Sequence, residues 1–139
     1  MNRTEFQNLA DERVLDATAL LAASQWSGAY YLVGYALECA LKSCVLKFIE
    51  QTGIIFEDKK FVERCWTHDL ELLCVHADLM KLLGPAIAAN KQLDANWTIA
   101  KSWSEASRYR IINTQDSTEL FQAITDISDG VLPWVRSHY

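Results

Sequence analysis

With only two prolines and five glycines in 139 residues, the chain has few signals for tight turns, so long regular elements are expected. Its four cysteines, Cys39, Cys44, Cys65 and Cys74, form no Cys-x-x-Cys pair and share no zinc-site spacing with histidine. They read as buried free thiols of a reducing compartment. A basic excess is also missing. The net charge of −5 speaks against sequence-blind phosphate binding, which draws on a basic face to release counterions. A small basic pocket is still compatible with that charge. The sequence contains no glycine-rich phosphate loop, no Ser-His-Asp order and no paired-carboxylate motif, and no metal or cofactor is expected. The opening "MNRTEFQNLADERVLD" scatters charges where a signal peptide would have an apolar core, so none is expected. Residues 17–37 carry no charged group, yet "SQWSG" at 24–28 breaks that run with a turn. No membrane span is therefore expected, and the chain reads as soluble and cytoplasmic.

Half of the residues are hydrophobic and 22% are charged, the balance of one globular domain over residues 1–139. The hydrophobic residues recur with a helical period. Phe6, Ala10, Val14, Ala17 and Leu21 share one face of a first helix over about 4–23, with Thr4 as its cap and Arg13 placed to pair with Asp16. A second helix over about 28–51, capped by Ser27, is apolar around most of its circumference and so belongs inside a bundle. Gly34 within it suits the close approach of a neighbouring helix, and Gly53 suits its C-terminal stop.

A short helix is expected in "KFVERCW", then a long one from the cap at Thr67 to the "GP" at 84–85. A weaker helix over about 86–101 follows. The last one is opened by a capping box of Asp116 and Glu119 and buries Leu120, Ile124, Ile127, Val131 and Trp134, with Pro133 ending or kinking it near Gly130. No segment alternates like a strand. The expected fold is an all-α, up-and-down bundle of four to five helices.

Glu38 and Lys42 sit one turn apart in the second helix, beside Tyr31 and Tyr35, in the favourable order for a helical pair. On so apolar a helix both are expected to be partly buried, and buried charges demand partners. His68, Asp69, Arg108 and Tyr109 are candidates from elsewhere in the chain. Arg108 is expected to pair with Glu38 or Asp69, and Tyr109 to sit in the core with its hydroxyl bonded. Two roles are open to His68: a hydrogen-bonded structural residue or a general acid–base, for which its ordinary pKa is suited. Lys42 could hold a ligand phosphate, and Arg108 could do so bidentately. The five tryptophans read as packing or interface residues, or as a platform for bases.

The segments "WSGAYYLVGYALECALKSCVLK" at 26–47, "THDLELL" at 67–73 and "WSEASRYR" at 103–110 follow one another in an order that resembles the HEPN domain family, the nucleotide-binding domain of higher eukaryotes and prokaryotes. The resemblance spans most of the chain. It implies a helical bundle that pairs into a homodimer, often beside a small nucleotidyltransferase in prokaryotic toxin–antitoxin or defence modules. Many members are metal-independent ribonucleases with an Arg-x(4–6)-His motif from each subunit. This chain departs from that motif: Arg64 and His68 have three residues between them, Arg136 and His138 only one, and Arg108 has no histidine close downstream. The expected function is thus an interaction module without catalysis of its own. An RNA-cleaving enzyme using His68, Arg64 and Arg108 is the first alternative, and a nucleotide or small-ligand binder the second.

Overall fold

The computed structural model describes residues 1–139 as eight α-helices and no strand. They are α1 (Arg3–Ala22), α2 (Trp26–Thr52), α3 (Lys59–Arg64), α4 (Leu70–His76), α5 (Met80–Ala89), α6 (Lys91–Ala100), α7 (Thr114–Thr125) and α8 (Val131–Arg136). Short 3-10 turns lie at Ile54–Phe56 and Glu105–Tyr109. No single helix is long and apolar enough to cross a membrane.

α2 is the axis of the molecule. It packs along α1, its most extensive partner, and is closed on its other sides by α4, α7, α8 and the 105–109 turn. Between Ala29 and Val45 only Tyr31, Leu32, Tyr35 and Lys42 keep appreciable exposure. Helix α2 ends where Gly53 takes a left-handed conformation (φ 67°) and returns its N–H to the Ile49 carbonyl. Gly34 also has a steric reason. A Cβ there would stand 2.2 Å from Nε1 of Trp103, so the fully enclosed indole needs a bare backbone beneath it. The close neighbour is one side chain from a connecting segment, where the sequence suggests a helix.

Eight helices replace the expected four to five because two long periodic stretches break and the short segment before Thr67 forms a helix of its own, α3. The stretch beginning near Thr67 ends at Ala77, Asp78 turns left-handed (φ 59°), and α5 departs at 117° to α4. Pro85 then lies inside α5, so Lys81 loses its helical donor there. The final stretch breaks at residues 126–130, and Pro133 falls in the first turn of α8, where no N–H is needed. Ile127, in that break, is 91% exposed and leaves the buried face formed by Leu120, Ile124 and Val131.

The caps also move. Asn2, not Thr4, opens α1 in a reciprocal capping box with Glu5, and Asn113 opens α7, with Asp116 in the first turn. Ser27 instead accepts the Ile112 N–H across the molecule, and Thr67 accepts the Asp69 N–H, while Asp69 caps α4 at Leu72. Arg13 and Asp16 do pair, at 3.1 Å.

Candidate functional site

Glu38 lies on α2, and none of its side chain reaches solvent. Its Oε1 takes two donors: Nζ of Lys42 at 2.6 Å and Nδ1 of His68 at 2.9 Å. Lys42 comes from one turn further along the same helix. His68 is delivered by the segment that leads into α4, whose cap at Asp69 fixes the backbone just beyond it. Glu38 Oε2 is buried and has no partner. The group is an inward carboxylate carrying two donors that reach the surface, since Lys42 is one-fifth exposed and His68 about half.

That geometry answers the charge problem posed by the sequence. A carboxylate sealed from water survives only with compensating donors, and here an ammonium and an imidazole N–H converge on one oxygen. With Nδ1 engaged by Glu38, His68 can present Nε2 as a proton donor or acceptor, the orientation a carboxylate imposes on a histidine acid–base. Cys39, beside Glu38 in sequence, is held at a pKa of about 11, by burial first and the Glu38 charge second. Burial likewise raises the Tyr35 phenol.

Arg108 and Tyr109 are not in this group. Arg108 is exposed and folds over the Tyr109 ring at 4.8 Å, and the Tyr109 and Tyr31 hydroxyls raise its pKa. It pairs with neither Glu38 nor Asp69. Tyr109 is 80% exposed rather than in the core. Both expectations fail for one reason: residues 105–109 form a 3-10 turn over α2, and only Ser107 of that turn is buried. Tyr31 and Tyr35 run parallel on α2 with ring centres 6.3 Å apart, and Tyr31 also meets Trp103 at 6.1 Å. Tyr31 and Lys42 are separated by roughly 16 Å of helix rise. A single phosphate cannot bridge Lys42 and an arginine seated beside Tyr31.

Arg64 is likewise apart from His68. It reaches Asp58 at 3.4 Å and leans over Phe61. The candidates therefore divide into a buried-carboxylate group (Glu38, Lys42, His68) and an Arg–Tyr surface (Tyr31, Tyr35, Arg108, Tyr109), with Asp69 serving as a helix cap. No cluster of three or more His, Cys, Asp or Glu side chains is arranged to hold a metal ion.

Two surface features carried no periodic signal. Ile111, beside Tyr109, is 99% exposed, and Trp66 is 86% exposed next to an apolar groove that Lys42 also lines. Of the other tryptophans, Trp97 and Trp103 are buried, while Trp26 and Trp134 are partly so. Comparison of the chain with family models, with curated proteins and with solved structures gives no match.

Proposed function

We propose that this chain is a HEPN-like helical interaction module that acts as a homodimer in a reducing cytoplasm, without turnover of its own. The observation that carries the reading is the surface formed by Arg108, Tyr109 and Ile111 beside Tyr31 and Tyr35. It combines an exposed guanidinium, an exposed phenol and a fully exposed branched aliphatic side chain. Tyrosine and arginine are the residues that most often anchor protein interfaces, because each adds a large contact area to a polar contact. Tyr109 and Ile111 bury little of their apolar area within the chain, and Arg108 packs only against the equally exposed Tyr109 ring and reaches Tyr31. Association with a small nucleotidyltransferase in a toxin–antitoxin or defence pair follows from the family resemblance alone.

Sedimentation velocity at micromolar concentration tests the reading. A dimer is expected for the natural sequence, and a monomer for the Tyr109→Ala, Ile111→Asp double variant. A natural chain that stays strictly monomeric removes the proposal.

One observation favours a second reading, a metal-independent ribonuclease: His68 is oriented by a buried carboxylate and half exposed. Arg64 does not join it, so the charge-stabilising partner would have to come from another copy. Labelled RNA incubated in EDTA with the natural protein and with His68→Ala distinguishes the readings. Cleavage lost in the variant supports the enzyme, and equal cleavage by both removes His68 from any mechanism.

A further inference from the structure

Between the end of α6 and the start of α7 lies a cavity of about 460 Å³, within the size range of ligand pockets. Its floor is apolar and held in place. Leu120 and Ile112 are buried there, and the Ser27 hydroxyl accepts the Ile112 N–H. Tyr30 of α2 completes the floor. Only 8% of this residue is exposed, yet its hydroxyl, unlike that of Tyr139, is not sealed off and bonds to no protein group. Burial raises the Tyr30 pKa first, and the Arg110 and Asp116 charges then act on it in opposite senses, so the phenol oxygen is within range of both.

Three charged side chains line the walls. Asp116 and Glu119 are one turn apart on α7 and share a face. Arg110 comes from the segment before α7. Its extended backbone (φ −112°, ψ 148°) sets it on the same side as the buried Ile112 and opposite the exposed Ile111. Neither Arg110 nor Glu119 takes part in any ion pair of the chain. The Asp116 carboxylate takes one long side-chain bond, from Asn113 at 3.3 Å. One cation and two carboxylates thus face the same cavity without pairing.

We infer that this cavity binds a small zwitterion with its charges at opposite ends of an apolar body, the chemistry of an apolar di- or tripeptide. Its carboxylate meets Arg110, whose planar fork matches a carboxylate in two bonds. Its ammonium meets Asp116 and Glu119. A peptide group between them meets the Tyr30 hydroxyl, above Ile112 and Leu120. Other classes leave a charge unanswered. A phosphate ester would bring negative charge onto two carboxylates, and a polyamine would bring positive charge onto Arg110. A divalent cation would find no cluster of three ligating side chains. An uncharged apolar molecule would strip water from three charged groups and return nothing for it. The inference does not rest on the dimer reading, because Tyr109 and Ile111 do not line this cavity.

NMR chemical-shift titration of the whole protein tests it with three molecules of one shape. They are leucyl-leucine, isocaproyl-leucine, which lacks the ammonium, and leucine isoamylamide, which lacks the carboxylate. Leucyl-leucine is expected to shift the amide signals of Arg110, Ile112 and Glu119. Each analogue is expected to bind about five-fold more weakly, the ratio that one exposed ion pair supplies. Arg110→Met should erase the difference between leucyl-leucine and the isoamylamide, and Glu119→Gln should narrow that with isocaproyl-leucine. Both sites are exposed and unpaired, so these variants keep the fold. Tyr30→Phe should weaken leucyl-leucine several-fold. Equal affinity for all three molecules, shifts confined to another part of the chain, or no binding at millimolar concentration overturns the inference. Tighter binding of the isoamylamide overturns it too, because the cavity would then take a simple cationic amine.

Discussion

His68 Nδ1 lies 2.9 Å from Oε1 of Glu38, a residue thirty positions earlier in the chain, and this contact ties the α4 entry to the central helix. Because Glu38 is wholly buried while His68 is half exposed, the two donors on that oxygen are not equivalent. Lys42→Met leaves a sealed carboxylate without its ammonium and should cost about 3–5 kcal/mol. His68→Gln, at a site water can partly fill, should cost about 1–2 kcal/mol. Urea unfolding of both variants checks the order. A neutral Lys42→Met would show that Glu38 is not held as a charge.

Gly34→Ala tests the seat of Trp103. Alanine is the better helix former by about 1 kcal/mol. Its methyl group, however, would land within 2.3 Å of three indole atoms, and overpacking of this kind costs typically about 1–3 kcal/mol or more. A net loss of stability is expected, with Tm falling by several degrees and a changed near-UV signal from Trp103. A gain in Tm would mean that the indole moves aside freely.

Thiol reactivity should follow burial. Cys74 is pushed up to about 12 and Cys39 to about 11, chiefly by burial, and Cys44 is raised for the same reason. Only Cys65 is partly exposed. A thiolate-selective disulfide reagent at pH 8 should modify at most one cysteine quickly in the native protein and all four after unfolding. Fast modification of two or more would contradict the closed core.

The stability of the fold should fall on mild acidification. His76, edge-on to Phe61, and His138, against Trp134, both have pKa values lowered by burial first and by a neighbouring cation second, Arg64 and Lys47 respectively. Their unfolded forms therefore take up protons before the folded ones. The unfolded state binds more protons as pH drops below about 6.5, and stability is lost in that window. Denaturation midpoints at pH 7.5 and 5.5 should differ, and the difference should shrink in a His76→Gln, His138→Gln double variant. An unchanged difference would assign the effect to other groups.

Much of the fold is legible in the sequence. The apolar circumference of residues 28–51 places α2 at the centre, and the i, i+4 spacing places Lys42 on Glu38, because both depend on local helical geometry. Even His68 is foreseeable as a partner, since a buried Glu38 requires a second donor and few are available. Helix breaks are less legible. Nothing in the periodicity of residues 67–83 marks Asp78, whose left-handed conformation separates α4 from α5.

The sequence alone determined an all-helical chain, its central helix and the one-turn ion pair within it, since these follow from rules that operate over a few residues. The tertiary structure decided that Trp103 covers Gly34, that Arg108 and Tyr109 face outward, and that Lys42 lies along an apolar groove. Those outcomes depend on where segments tens of residues apart come to rest. That path is set by how the apolar faces pack together, and no single stretch of sequence encodes it.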